Sequence, residues 1–166
     1  MEKIDLSKYI GITNKIQNLD TADYIIHPVN FIWIKLLETN PQKYLEKIKT
    51  LQQQKPQEAK LLVNSFELQG WEGNHTHLLC QLVGKRQTGK HFSNPELFYG
   101  GQLENLDENL GIQILYYQYL CQVDLNFKDY YDQTPYESII DELDLTKRKE
   151  NKNFINYLQN LQEFQN

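Results

Sequence analysis

A chain of 166 residues, 23% of them charged and 40% hydrophobic, with a net charge of −5, has the size and make-up of one globular domain. Two cysteines exclude a disulfide framework, and the longest apolar runs fall far short of the ~20 residues that span a bilayer. The acidic balance argues against nucleic acid as a partner. The first residues, MEKIDLSKYIG, carry charge and no apolar stretch of the signal-peptide kind, so a cytoplasmic protein is expected.

Helix punctuation runs along the first 70 residues. Pro28 opens an apolar segment through Leu37, and Asn40-Pro41 places a side-chain cap and a first-turn proline before Tyr44, Leu45, Ile48 and Leu51 at helical spacing. Pro56 starts another segment in which Ala59, Leu62, Val63 and Phe66 recur at three and four, with Gly70 as its stop.

Residues 71–101 break the pattern. They hold five of the eight glycines and three of the four histidines, without a sustained period, and read as an irregular connection with room for a short hairpin, within which 74–83 could be a short helix or a strand. Inside it lies GKRQTGKH, residues 84–91, one residue away from the phosphate-loop pattern G-x-x-x-x-G-K-[ST]. His91 replaces the hydroxyl ligand, and Pro95 interrupts the helix that such a loop requires. The stretch therefore reads as a basic turn, with Lys85, Arg86 and Lys90 as the residues able to contact an anion.

Glu72, His75, His77, Cys80 and His91 raise the question of a metal. On a strand His75 and His77 would share a face, but on a helix they would diverge by about 200°. Neither H-E-x-x-H nor C-x-x-C occurs, so no metal and no cofactor is expected. Asn74-His75-Thr76 is a glycosylation sequon of a kind that arises often by chance. Cys80 and Cys121 sit in apolar runs, where a thiol is packing rather than a nucleophile.

Helical pattern resumes beyond this connection. The segment 107–123 reads as a long buried helix whose Tyr116, Tyr117 and Tyr119 belong to the core. Thr134-Pro135 begins a helix around Tyr136 to Leu143. Thr146 caps a last one with Phe154, Ile155, Tyr157, Leu158, Leu161 and Phe164 as its stripe. The chain is thus expected to be a mostly α, single-domain irregular multi-helix bundle over 1–166: a helical half 1–70, the connection 71–101 and an acidic helical half 102–166.

Charge is unevenly spread. Residues 101–144 carry ten acids against Lys128 alone, −9 in a protein of −5, together with six of the eleven tyrosines. Tyrosine and carboxylate together suit a surface for a basic protein partner, the ring as anchor and the field as guide. Its expected residues are Asp124, Asp129, Tyr130, Tyr131, Asp132, Tyr136, Glu137 and Asp141. A small acidic protein without catalytic motifs is what an inhibitor or immunity protein, antitoxin-like, would be if it blocked a basic nuclease toxin. The competing readings are a structural or adaptor subunit using the same face and, third, an enzyme or metal-dependent site around His75, His77 and His91. The sequence specifies no oligomeric state.

Overall fold

Prolines and small polar caps set most of the helix boundaries. The computed structural model describes residues 30–65, 73–88, 106–129 and 131–165, and those residues form eight helices and no strand. The mostly helical architecture expected from the sequence is therefore the one observed.

Helix α1 (Asn30–Thr39) leads through Asn40 into α2 (Pro41–Gln54), where the Asn40 side chain accepts the Lys43 N–H and Pro41 occupies the first turn. Lys55-Pro56 breaks the chain again, and α3 (Pro56–Val63) ends at Asn64. Phe66 and Gly70, the expected continuation, lie outside the described residues. After α4 (His75–Thr88) and α5 (Glu108–Leu120) come α6 (Pro135–Glu142), α7 (Leu145–Glu150) and α8 (Lys152–Gln165).

Helix α4 corrects the expectation of an irregular connection. Residues 75–88 form one continuous helix, and Leu78, Leu79, Cys80, Leu82 and Val83 are all fully buried. A helix buried on every side has no polar face, so it loses the 3.6-residue period by which helices are recognised. The supposed turn at 84–88 is likewise helical, with Lys85 and Arg86 in the last turns of α4. Gly89, Lys90 and His91 lie outside the described residues. A phosphate loop needs a strand before it, and here the preceding 78–83 is helix.

Helix α4 packs most extensively against α6 and also meets α5 and α1. Where α4, α5 and α8 converge, Gly111 leaves room for its neighbours: a Cβ there would stand 3.3 Å from both Phe154 Cδ2 and Val83 Cγ2. Helices α5 and α8 lie side by side and run parallel. Asn153 Nδ2 donates to Glu108 Oε1 near their N-terminal ends, and Gln165 bonds Val123 O and Leu125 N beyond the end of α5.

Two further expectations change at the C-terminus. Asp144, not Thr146, supplies the cap, accepting the Lys147 N–H at the start of α7, and buried Asn151 separates α7 from α8. Arg148 turns back to donate to Leu143 O and Ile140 O, satisfying carbonyls at the end of α6. Phe154, Ile155, Leu158 and Leu161 are buried as expected, whereas Phe164 is 79% exposed. Tyr117 and Tyr119 pack half-buried on the core, but Tyr116 faces solvent. Among the described residues no helix is long and apolar enough to cross a membrane.

Candidate functional site

The acidic segment after α5 is an ordered loop stitched down by amide side chains from elsewhere in the chain. Gln122 takes a left-handed conformation at φ 66° and reverses the chain. Asn64 then accepts the Asp124 N–H and donates to Gln122 O, while Asn74 Nδ2 donates to Asp124 O at 2.9 Å. A cleft of about 310 Å³ lies over this crossing, lined by Lys60, Asn64, Gln122, Asp124, Asn126 and Gln165.

Asp129 organises the next turn. Its Oδ1 accepts the N–H groups of Tyr131 (2.9 Å) and Gln133 (3.1 Å), its own N–H donates to Gln133 O, and its carbonyl accepts the Asp132 N–H. This pattern is how a short carboxylate closes a turn on its own backbone. Asp132 completes it at φ 61°. Thr134 and Glu137 form a full capping box at the start of α6. From the core side, His77 Nε2–H donates to Gln133 O at 2.8 Å and ties the turn to α4.

The result is a fixed platform with Tyr131 at its tip, 64% exposed. Asp132, Glu137 and Asp141 are exposed beside it, with Asp141 accepting from Gln133 Nε2. The Lys128 ammonium lies 3.8 Å from Asp132, a surface pair worth little in water.

The expected site divides accordingly. Tyr131, Asp132, Glu137 and Asp141 are presented to solvent, whereas Asp129 is 92% buried, because its carboxylate is consumed by the turn. Burial raises its pKa, against the hydrogen bonds from the Gln133 and Tyr131 N–H groups, and its Oδ2 has no partner among the described residues. Tyr136 is half-buried against the core, Asp124 is half-buried at the loop entry, and Tyr130 lies outside the described residues.

A second constellation, unseen in the sequence, fills the N-terminal end of α4. Thr76 Oγ1 donates to Gln118 Oε1 (2.8 Å), and Gln118 Nε2 donates to Tyr44 Oη (3.2 Å) and to His75 O (3.3 Å). Tyr44 Oη lies 2.8 Å from His75 Nδ1, and His75 Nε2 lies 2.6 Å from Asn30 Oδ1. Asn30 Oδ1 can only accept, which places the imidazole proton on Nε2 and makes Tyr44 the donor to Nδ1. Burial raises the Tyr44 phenol far above its ordinary value, so it remains a donor throughout the ordinary pH range.

Asn74 caps α4, its Oδ1 accepting the N–H groups of Thr76 and His77. His77 returns the contact: its Nδ1 accepts the Asn74 N–H at 3.1 Å, a capping box with imidazole in place of the usual carboxylate. Burial lowers the pKa of His77 to about 4, the bond to Gln133 O opposing, so the ring is neutral at pH 7. Both nitrogens of both imidazoles are thus engaged in hydrogen bonds inside the protein. Asn74 is fully buried and its amide is committed to Asp124 O, so the sequon is internal.

Among the described residues, no group of three or more His, Cys, Asp and Glu side chains could hold a metal ion. Cys80 and Cys121 are free and buried, and burial raises both thiols, Cys121 to about 12, away from nucleophilic character. Asn74 to His77, with its Asn-x-x-His spacing, was the one local signal for this network; Asn30, Tyr44 and Gln118 join it only through tertiary packing. Comparison with protein-family models, curated proteins and solved structures gives no match, so any functional reading rests on the geometry of this chain.

Proposed function

We propose that the chain is a cytosolic binding protein that engages a basic protein partner through the Tyr131 turn and the adjoining acidic face of α6. An inhibitor or immunity protein of the antitoxin kind, directed at a basic nuclease, would act in this way. One observation carries the reading: a tyrosine 64% exposed at the tip of a turn whose backbone is fixed by Asp129, Asp132 and His77, with Asp132, Glu137 and Asp141 exposed around it. A side chain carried on a hydrogen-bonded turn loses less freedom on binding than one on a loose loop, which favours it as an anchor. The carboxylates supply the field that speeds encounter with a cationic surface.

The test uses the full chain and the basic protein it captures from its host. Asp132→Asn, which suits the left-handed backbone there, with Asp141→Lys slows association and flattens its salt dependence, because the Debye length shrinks from about 10 Å at 0.1 M to about 3 Å at 1 M. Tyr131→Ala instead speeds dissociation, costing about 2 kcal/mol. Capture of several stoichiometric subunits without a basic protein among them would favour an adaptor; unchanged binding after all three substitutions would remove the proposal.

A further inference from the structure

Three helices end on the cleft over the Asn64–Asp124 crossing. Asn64 caps α3, Gln122 lies two residues beyond α5, and Gln165 is the last residue of α8. Hydrogen bonds fix this frame. Asn64 holds Gln122 O and the Asp124 N–H, while Gln165 donates to Val123 O and accepts the Leu125 N–H. Every residue around the cleft except the buried Val123 carries a polar side chain.

Two of those side chains bear opposite charges that do not meet. Lys60 is half-buried and forms no ion pair among the described residues, although Asp124 lines the same cleft. Asp124 Oδ1 accepts the Asn126 N–H, and a carboxylate has acceptor sites beyond that bond. Two amides are also uncommitted among the described residues. The Gln122 side chain makes no hydrogen bond, and Asn126 uses only its Oδ1, which accepts from Gln162.

We propose that this cleft binds a small polar α-amino acid as its zwitterion, with the ligand carboxylate on Lys60 and the ligand ammonium on Asp124. Charge selects that class. A simple anion drawn to Lys60 would also meet Asp124 and the negative ends of three helices, and a simple cation drawn to Asp124 would meet Lys60. One molecule that carries both charges gains both charge-assisted contacts. The free amides of Gln122 and Asn126 suit a polar ligand side chain, whereas an apolar one would find no apolar wall. A volume of about 310 Å³ stands at the lower end of the roughly 300–1,000 Å³ of ligand pockets, which suits a molecule of amino-acid size.

Amide chemical shifts of the full chain, recorded by NMR, test this. L-Glutamine moves the backbone signals of Asn64, Gln122, Asp124 and Asn126 with a Kd of about 1–10 mM, the range open to a ligand of about ten heavy atoms held by polar contacts. Propionate and propylamine, each with one of the two charges, bind about tenfold more weakly or worse. Lys60→Met keeps the aliphatic stem, and Asp124→Asn keeps an acceptor for the Asn126 N–H. Each weakens glutamine binding by about tenfold or more, the loss of one charge-assisted hydrogen bond. No movement of these signals up to about 50 mM, well above the expected constant, overturns the proposal. Wild-type affinity in Lys60→Met does the same. Equal binding of propionate would reduce the cleft to a lysine–anion contact, equal binding of propylamine to a carboxylate–cation contact, and either result also overturns it. If Asp124→Asn lowers the melting temperature, Lys60→Met and the two singly charged ligands still decide.

Discussion

The N-terminal end of α4 and the 129–133 turn are both polar, yet they stand in opposite relation to water. In the first, Thr76, Gln118, Tyr44, His75 and Asn30 form one directed hydrogen-bond chain from which solvent is excluded. In the second, the N–H groups of Asp129, Tyr131, Asp132 and Gln133 are also bonded, but Tyr131, Asp132, Glu137 and Asp141 face outward. A histidine-rich cluster suggests chemistry and an acidic turn suggests mere solubility. Here burial engages the histidines in hydrogen bonds inside the protein and leaves Tyr131, Asp132, Glu137 and Asp141 facing solvent. His77 joins the two, with one nitrogen on the cap of α4 and the other on Gln133 O.

The sharpest way to break this comparison is to cut the buried chain. Gln118→Leu strands the Thr76 hydroxyl and removes a donor from Tyr44, and Asn74→Ala uncaps α4 and removes one of the donors to Asp124 O. Each should cost about 3 kcal/mol, in the first because the Thr76 hydroxyl is left unpaired and in the second because the buried Thr76 and His77 N–H groups lose their acceptor. In a chain of this size that lowers the melting temperature by about 6–12 °C. Losses under about 1 kcal/mol, below the usual range for orphaned buried groups, would mean that water enters the network.

Acid sharpens it next. His77 has a folded pKa of about 4 against 6.5 for the free side chain. The unfolded chain therefore binds more protons between those values, and stability falls as pH drops from about 6.5 toward about 4, by up to about 3 kcal/mol. A second proton on the ring turns the 3.0 Å approach of Nδ1 to Asn74 Oδ1 into a hydrogen bond but orphans the Asn74 N–H. Urea denaturation at a series of pH values measures the effect, and His77→Gln should flatten that part of the profile.

Asp129 acts in the opposite sense. Its raised pKa means that its contribution to stability is complete below the free value of 3.8 and declines as the pH rises through the folded value. Asp129→Asn keeps an acceptor for the Tyr131 and Gln133 N–H groups while removing a buried charge, so at pH 7 stability should hold or rise by up to about 1 kcal/mol. Asp129→Ala, which opens the turn, should cost about 1–2 kcal/mol. Smallest of all, Tyr131→Ala and Asp132→Asn, which keeps a side chain suited to φ 61°, should each change stability by less than about 0.5 kcal/mol, the usual range for exposed positions.

What the sequence disclosed was whatever is local. Asn40-Pro41 and Thr134-Pro135 mark helix starts because a cap and a proline act within one turn, and both helices begin there. Helix α4 was hidden because Leu78 to Val83 are buried on every side and Gly84 looks like a stop. The network was hidden because Thr76 and Gln118 are 42 residues apart and Gln118 and Tyr44 are 74 apart. The charge asymmetry singled out residues 101–144, but not the different burial of the carboxylates within them. Asp129 and Asp132 look alike in sequence, and only the folded turn makes one its buried clasp and the other its exposed rim.

The most direct measurement places a photo-crosslinking residue at position 131 of the full chain in its host, with position 46, exposed on α2, as the control. The proposed function predicts one predominant basic protein captured from position 131 and absent from position 46. The same set of proteins from both positions, or nothing from 131, would contradict it.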